Sequence, residues 1–295
     1  MIKRSGLGKA LAQLVQLRPA DVLLITMVGG LFLGATLLGW AVLGPVVLVL
    51  AISGALVVSL AVQLESYRRL QIAGRDYRQV ESLFSLFSSI QFKHPLPPMR
   101  GWAISPDFAN LIIKVLAERR PRTVLELGSG ISTLIVGHWL KGAGSGRLIA
   151  LEHDRAFASK TQADLVSHGV QEFASVCNAA ITRQQLGDGN WLWYETAALD
   201  QLTSIDVVIV DGPPGDLHSL ARYPALPILS RKLSPGAVIV VDDFNRADER
   251  EMVSRWLRDE PRLSLEEVPC EKGAALLRLP DAGQLTNPRQ AGRSC

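Results

Sequence analysis

The stretch Thr123-Val-Leu-Glu-Leu-Gly128-Ser-Gly-Ile-Ser-Thr133 decides how the second half of this chain folds. A short apolar run, Thr123–Leu127, leads into a glycine turn, and residues 132–140 then follow a helical pattern. Glycine permits a tight turn in which the backbone approaches a ligand closely. The stretch therefore predicts a strand, a turn that contacts a ligand, and a helix in direct succession.

Short apolar runs and amphipathic segments alternate from about residue 105 to residue 279. This alternation predicts a parallel sheet with helices on both faces. The last two strands have no helix between them, so one of them is expected to be antiparallel. The predicted strands are 123–127, 147–152, 173–178, 206–211, 237–242, 263–268 and 274–279, and the predicted helices are 105–119, 132–140, 155–168, 223–232 and 246–259.

The ends of these strands carry the residues expected to bind a ligand, because ligands of such sheets bind at the carboxyl ends of the strands. Glu152 ends the second strand, where an acid can accept hydrogen bonds from both hydroxyls of a ribose. Thr133 stands where a dinucleotide fingerprint has its third glycine. Glu126, before the turn, suits a cofactor with an amino group. The pattern predicts a nucleoside-containing cofactor.

The ordered set of segments 126–130, 152, 206–214 and 235–243 resembles class I S-adenosylmethionine-dependent methyltransferases. The resemblance covers about residues 95–279 and implies a Rossmann-like, doubly wound, mostly parallel seven-stranded sheet whose final strand is reversed. It implies that the glycine turn holds the methionine moiety, that the acid after the second strand holds the ribose, and that nearby residues hold the adenine. The cofactor-binding residues would be Glu126, Gly128, Ser129, Gly130, Glu152, His153, Asn178 and Asp211.

An acid after the fourth strand and an acidic pair after the fifth are similar to metal-dependent small-molecule O-methyltransferases. This resemblance implies that Asp211, Asp242 and Asp243 would hold Mg²⁺ in this chain. Mg²⁺ prefers carboxylate oxygens and lowers the pKa of a bound hydroxyl. A helix cap is the alternative role for the acidic pair. Gly212 interrupts the Asp/Asn-Pro-Pro-Tyr signature of amino-methylating enzymes, and Gly215 replaces its aromatic residue, which argues against N-methylation of adenine, cytosine or glutamine.

Candidate catalytic residues are Asp211 and His218, the latter because the pKa of imidazole lies near working pH. The alternative for His218 is an ordinary histidine of a surface loop. Three aromatic residues between 191 and 194 either line an acceptor pocket or belong to the core. The proline-rich segment 95–102 is either a rigid lid over the cofactor or a linker.

Residues 22–64 contain no Asp, Glu, Lys, Arg or His, which excludes a fully soluble or disordered chain. One helix over this segment would be about 64 Å long, whereas the hydrocarbon core of a bilayer is about 30 Å thick. The segment therefore predicts two transmembrane helices, 22–39 and 45–64, that form a hairpin. Gly30 and Gly34 are spaced for close packing of the two helices.

Basic residues flank both ends of the apolar segment and are missing from its centre. The positive-inside rule then places both ends in the cytoplasm, at the inner or cytoplasmic membrane. Beyond the N-terminal flank the charge is balanced, so the chain lacks the basic face of a nucleic-acid-binding protein. The three cysteines lie far apart along the chain, which is typical of reduced thiols.

The expected organisation is a basic amphipathic segment, two transmembrane helices, a juxtamembrane helix with linker, a methyltransferase domain and a disordered tail. Their ranges are 1–21, 22–64, 65–104, 105–279 and 280–295. We expect a membrane-anchored enzyme that O-methylates a small-molecule, lipid or lipid-linked glycan acceptor. The apolar face of the juxtamembrane helix could instead form a homodimer. Two alternatives are a non-catalytic membrane scaffold and an NAD-dependent nucleotide-sugar enzyme, although the latter's Tyr-x-x-x-Lys pair is missing.

Overall fold

The computed structural model of the chain describes residues 19–187 and 189–282. The chain divides into two compact units, residues 1–73 and 74–295. The predicted amphipathic segment before residue 19 and the predicted disorder after residue 282 lie outside the described residues. The helices are α1 Pro19–Leu43, α2 Pro45–Ser89, α3 Pro106–Arg119, α4 Ile131–Ala143, α5 Arg155–Ser167, α6 Ala225–Leu229 and α7 Ala247–Asp259.

The apolar segment of the first unit does not form the predicted hairpin. Gly44 alone connects α1 to α2, and one residue is shorter than the two to five that join antiparallel helices. A Cβ atom added at Gly30 or Gly34 would meet no atom within 4 Å, so these small residues do not bring two helices together. Among the described residues, α2 alone is long and apolar enough to cross a membrane, and a shorter apolar helical stretch spans Thr26–Val42.

Helix α2 begins at Pro45, where the fixed φ of proline and its missing N–H suit a first helical turn. It continues without a break to Ser89, through residues for which the sequence predicts separate transmembrane and juxtamembrane helices. Within the second unit, its side chains contact α3. Gln79 Nε2 donates a hydrogen bond to Asp107 Oδ2 at 2.8 Å, and Asn110 Nδ2 donates to the Ser82 carbonyl at 2.9 Å.

The strands of the second unit are β1 Thr123–Leu127, β2 Arg147–Glu152, β3 Ala174–Asn178, β4 Ile181–Leu186, β5 Gly189–Tyr194, β6 Ile205–Val210, β7 Leu233–Val241, β8 Ser264–Val268 and β9 Ala274–Arg278. Seven of them form one sheet in the order β3-β2-β1-β6-β7-β9-β8, and β4 and β5 form a separate antiparallel pair. The pairs β1–β2, β2–β3, β1–β6 and β6–β7 are parallel, whereas β9 is antiparallel to both β7 and β8. The predicted Rossmann-like, mostly parallel sheet with a reversed final strand is confirmed.

The central strands are buried on both faces, because helices cover each side of the sheet. Every residue of β1 is buried, and so are the last four residues of β6. One face packs against α3 and α4 through residues such as Ile112 and Leu134. The other packs against α7 and the β4–β5 pair through Trp256 and Trp193. This burial explains why the strands are continuous apolar runs in the sequence.

Two elements differ from the sequence prediction. The β4–β5 pair was not predicted, because β4 reads Ile-Thr-Arg-Gln-Gln-Leu and has too few apolar residues to be recognised as a strand. The predicted helix 223–232 is shorter: α6 ends at Leu229 and a 3₁₀ turn follows over Ser230–Lys232. Pro227 is the third residue of α6, where its missing N–H costs no hydrogen bond, whereas a helix that began at residue 223 would lose the bond from residue 227 to the carbonyl of residue 223.

Candidate functional site

A cleft of about 730 Å³ opens at the carboxyl ends of β1, β2 and β6, within the second unit. Its walls are the turn after β1, the end of β2, the loop after β6 and the segment 97–104 before α3. Parallel strands bring their carboxyl ends to one edge, where ligands of such sheets bind. The predicted site residues that line this cleft are Gly128, Ser129, Gly130, Glu152, His153, Asp211 and Asp243, whereas Glu126, Asn178, His218 and Asp242 are not among its lining residues.

The turn after β1 depends on glycine. Gly128 has a φ of +95°, a conformation that residues with a side chain rarely adopt. A Cβ atom at this position would lie 3.5 Å from the backbone of Asp211 and Gly212. The Gly128 N–H donates a hydrogen bond to the Leu151 carbonyl at 2.9 Å. The turn therefore packs backbone against backbone between β2 and the loop after β6, and the cleft stays open above it.

Glu152 is 5% exposed and lies at the cleft with both carboxylate oxygens engaged. Oε2 accepts hydrogen bonds from the N–H and hydroxyl of Ser129 at 3.0 and 3.1 Å. Oε1 accepts from the Asp154 N–H at 3.0 Å and lies 3.0 Å from Nδ1 of His153. The Ser129 hydroxyl also lies 3.3 Å from Thr161 Oγ1. This hydroxyl can therefore turn away, which frees Glu152 to accept a hydrogen bond from a ligand.

Glu126 lies beneath the turn rather than in the cleft. Its carboxylate is fully buried, and Oε2 accepts a hydrogen bond from Thr133 Oγ1 at 2.7 Å. The same Thr133 oxygen accepts from the Gly130 N–H at 2.9 Å. Burial raises the pKa of Glu126 to about 7, against the hydrogen bonds from Ser132 and Thr133 that lower it. Glu126 thus supports the turn through Thr133. Thr133, which stands where a dinucleotide fingerprint has its third glycine, therefore has a structural role.

Asn178 stabilises the end of β2 instead of lining the cleft. Its Nδ2 donates to the carbonyls of Glu152 and His153, at 3.2 and 3.4 Å. The structure likewise places His218 away from the cleft walls. Its Nδ1 lies 2.9 Å from the Ser219 carbonyl and its Nε2 lies 3.0 Å from the Leu192 carbonyl. The predicted role of His218 as general base is therefore corrected, because both ring nitrogens face backbone oxygens.

Asp211, Asp242 and Asp243 form a cluster at the ends of β6 and β7, with one oxygen of each within 4.8 Å of the others. Burial, together with the charge of Asp242, raises the pKa of Asp211 well above its ordinary value. Burial, together with the charge of Asp243, raises the pKa of Asp242 to about 6. The structure thus brings together the three residues that the sequence predicts as metal ligands.

Arg222 reaches into this acidic cluster, and sequence reasoning did not find it. Its guanidinium is 5% exposed and lies within 3.4 Å of Asp211, 3.0 Å of Asp243 and 3.6 Å of Glu249. Burial lowers the pKa of Arg222, but the three carboxylates and Asp242 outweigh it and raise this pKa. No local sequence pattern identifies Arg222, because it lies well beyond the end of β6 at Val210 along the chain. Only the tertiary fold brings it to the site.

The segment 97–104 forms one wall of the cleft and is held there by contacts with other parts of the second unit. Arg100 Nε donates to both carboxylate oxygens of Glu271, at 2.9 and 3.0 Å, and Arg100 Nη2 lies 2.9 Å from Asp76 Oδ1. Lys272 Nζ donates to the Ala103 carbonyl at 3.0 Å. Trp102 lines the cleft and is 86% exposed.

The aromatic residues between 191 and 194 divide between the two predicted roles. Trp193 is fully buried in the core, and Trp191 packs on Tyr223 with ring centroids 4.8 Å apart. Tyr194 is buried but lines the cleft, and its hydroxyl has no hydrogen-bond partner among the described residues. Burial raises the pKa of Tyr194, so this hydroxyl remains a neutral donor that can serve a ligand.

Residues 125–244 match a family model described as a methyltransferase domain. The match begins inside β1 and ends just after Asp243, so it includes the glycine turn, Glu152 and the acidic cluster. It covers less than half of the chain. The sheet itself extends beyond the matched residues and continues through β8 and β9.

Several solved structures are similar to the chain. The O-methyltransferase from Bacillus cereus in complex with SAH is 18% identical, with 68% of this chain and 90% of that chain covered and a TM-score of 0.45. The O-methyltransferase TomG from Streptomyces achromogenes, in complex with SAM, is 20% identical, with 68% and 96% covered and a TM-score of 0.47. The SAH-bound Podospora anserina methyltransferase PaMTH1 is 17% identical, with 74% and 96% covered and a TM-score of 0.46. A search of curated proteins found no match.

Proposed function

We propose that the chain is an S-adenosylmethionine-dependent methyltransferase that transfers a methyl group to an oxygen of its acceptor. The observation that carries the proposal is the cleft of about 730 Å³ in which the Gly128 turn and Glu152 meet at the strand ends. The matched methyltransferase domain contains both residues.

The residues of the cleft fit S-adenosylmethionine. The turn at 128–130 has no side chain at Gly128, so a ligand can approach its backbone closely. We assign the methionine moiety to this turn and the ribose hydroxyls to the carboxylate of Glu152. His153, next to Glu152 on the cleft wall, would lie beside the adenine. The unpartnered hydroxyl of Tyr194 is a further donor for a polar group of the cofactor.

Bound S-adenosylmethionine supplies a methyl group on a sulfonium, which is electrophilic without further activation. The chain would align the acceptor hydroxyl with this methyl group and accept the proton that the hydroxyl loses. We assign the proton to Asp211, whose side chain lines the cleft and is 18% exposed. Its raised pKa means that the carboxylate binds a proton more tightly near neutral pH than an ordinary aspartate does.

We also propose that the apolar helices attach the enzyme to the cytoplasmic face of a membrane. The apolar half of α2 carries exposed side chains such as Leu50, Leu56 and Val57, which a bilayer would bury. Basic residues follow this half and none lies within it, which favours a cytoplasmic domain. An enzyme held there would meet small molecules, lipids or lipid-linked glycans at the membrane surface as acceptors.

Calorimetric titration of S-adenosylhomocysteine into the purified full-length chain in detergent tests the cofactor. We expect binding in the range of about 1 μM, and at least tenfold weaker binding by Glu152→Ala, because hydrogen bonds to charged groups contribute about 1.5–3 kcal/mol each. Glu267→Ala, at an exposed position of β8, is the matched control. A folded chain that binds no S-adenosylhomocysteine would contradict the proposal and favour the non-catalytic scaffold.

Membrane attachment has its own test. Alkaline carbonate extraction of membranes from expressing cells should leave the full-length chain in the pellet. Leu56→Arg should release part of the chain, because an arginine near the bilayer centre costs about 2.5–3.5 kcal/mol. Arg69→Lys, at an exposed position of the same helix, should stay in the pellet. Recovery of the unaltered chain in the soluble fraction would refute the membrane attachment.

A further inference from the structure

One nitrogen of Arg222 bridges two of the three clustered aspartates. Its Nη2 lies 3.4 Å from Asp211 Oδ1 and 3.0 Å from Asp243 Oδ2. The same nitrogen donates to the backbone carbonyl of Asp211 at 2.9 Å. Because the Arg222 side chain is 5% exposed, it is enclosed by protein and does not extend into solvent. A divalent ion shared by these two carboxylates would have to displace this nitrogen.

Lys272 compensates the charge of the third aspartate. Its Nζ lies 3.8 Å from Asp242 Oδ2 and 3.9 Å from Asp243 Oδ1. Asp242 Oδ2 has no hydrogen-bond partner among the described residues, so the ammonium group acts on it through charge alone. The same Nζ donates to the Ala103 carbonyl at 3.0 Å, in the segment that forms a wall of the cleft. Lys272 thus links the acidic cluster to that wall.

A third cation completes the arrangement. Arg246 Nη1 lies 3.0 Å from Asp243 Oδ2 and 3.8 Å from Glu249 Oε1. Each of the three aspartates therefore has at least one cationic side chain within 4 Å. Mg²⁺ requires near-ideal octahedral geometry, with oxygen ligands at about 2.0–2.1 Å, and gives up its waters reluctantly. The carboxylates that would bind it are already paired, so the residues of this cluster do not fit a metal ion.

We infer that Arg222 and Lys272 permanently supply the positive charge that a divalent cation would otherwise bring to Asp211, Asp242 and Asp243. Arginine does not lose its proton in proteins, so this charge does not depend on metal supply. The pairing of charges does not depend on the proposed function. Its consequence for catalysis does rest on that function, and it is that methyl transfer at this site proceeds without a metal ion. Arg222 and Lys272 are positioning residues, which hold the aspartates and the cleft wall in place.

Titration with Mn²⁺, followed by the electron paramagnetic resonance signal of the free ion, tests the inference on the full-length chain in detergent. We expect no binding by the unaltered chain at Mn²⁺ concentrations up to about 1 mM, which is far above the dissociation constant expected of a site with three free carboxylates. Its thermal unfolding should be the same in EDTA and in Mg²⁺. Binding by the unaltered chain that Asp211→Asn abolishes would overturn the inference.

Arg222→Met removes the bridging charge and keeps an unbranched side chain that can fill most of the space of the arginine stem. We expect this variant to bind Mn²⁺ at least about tenfold more tightly than the unaltered chain does, and Asp243→Asn in the same background should reverse the gain. Arg255→Met, whose arginine pairs with Glu251 on the surface of α7, is the control and should gain no binding. A folded Arg222→Met chain that gains no binding would overturn the assignment of Arg222.

Lys272→Met is a second variant for the case in which Arg222→Met does not fold, because its side chain is 19% exposed and less enclosed. It should also gain Mn²⁺ binding, and no gain would overturn the assignment of Lys272.

Titration of S-adenosylhomocysteine with and without EDTA separates this inference from the proposed function. Failure to bind S-adenosylhomocysteine would refute the cofactor assignment alone, whereas Mn²⁺ binding by the unaltered chain would refute the present inference alone.

Discussion

The backbone N–H and the hydroxyl of Ser129 both donate to Oε2 of Glu152, at 3.0 and 3.1 Å. Ser129 follows β1 and Glu152 is the last residue of the neighbouring parallel strand β2, so this contact joins the turn after β1 to the end of β2. It holds the Glu152 carboxylate at the cleft before any ligand binds. A carboxylate fixed in this way loses less side-chain entropy when it accepts a hydrogen bond from a ligand.

Ser129→Ala tests how far this contact prepares the ribose site. The substitution removes the hydroxyl donor and leaves the N–H donor, so a hydrogen bond to a charged carboxylate, of about 1.5–3 kcal/mol, is lost. Only the part of this energy that orients the carboxylate for the ligand affects binding. We expect the affinity for S-adenosylhomocysteine, measured by calorimetry, to fall by about two- to tenfold. Ser167→Ala, which removes an exposed hydroxyl bonded to the Asp164 carbonyl, should leave this affinity unchanged. An unaffected Ser129→Ala variant would show that the N–H alone positions Glu152.

Gly128→Ala should destabilise the fold. Alanine would have to adopt the φ of +95° that Gly128 has, and a left-handed conformation costs a residue with a Cβ about 1–2 kcal/mol. Urea unfolding of the full-length chain should show a loss of that size. Gly142→Ala is the matched control, because Gly142 lies within α4 and an added Cβ meets no atom within 4 Å. That variant should be as stable as the unaltered chain or about 0.5–1 kcal/mol more stable.

The buried Glu126 should make stability depend on pH. Its pKa is about 7 in the folded chain against 4.5 ordinarily, so between these values the folded state keeps a proton that the unfolded state has released. Stability therefore falls as pH rises through this window, by about 3 kcal/mol in total. Urea unfolding at pH 5 and pH 8 should show this loss in the unaltered chain. Glu126→Gln should abolish this part of the pH dependence, and Glu267→Gln should retain it. Equal slopes for both variants would contradict the assignment.

Arg100 should hold the segment 97–104 against the cleft. Arg100→Ala removes its ion pairs with Asp76 and Glu271, both of which are partly exposed. Because pairs of this kind contribute about 0–1 kcal/mol, global stability should change little. Backbone amides of residues 97–104 should nevertheless exchange hydrogen up to about tenfold faster, since local opening becomes easier. Arg262→Ala, which loses only a pair with nearby Glu260, is the control and should leave exchange in this segment unchanged.

Local patterns were sufficient for most of the sheet. Each of its strands was predicted within a few residues, because strands covered on both faces are continuous apolar runs between turn residues. The β4–β5 pair escaped prediction because one of its strands is half polar. The helical break at Gly44 lies within the gap between the predicted helices 22–39 and 45–64, although α1 extends to Leu43. The predicted packing of α1 on α2 was wrong, because packing depends on the connection as well as on small residues.

The sequence by itself determined which residues stand at the strand ends, and so it identified Gly128, Glu152 and Asp211 as members of one cleft. Their positions follow from parallel strands, whose carboxyl ends must share an edge. Only the tertiary structure decided that Glu126 lies under the turn, that His218 faces backbone carbonyls, and that Arg222 enters the acidic cluster. These are directions of side chains from distant segments. Packing sets them, and no spacing along the chain encodes them.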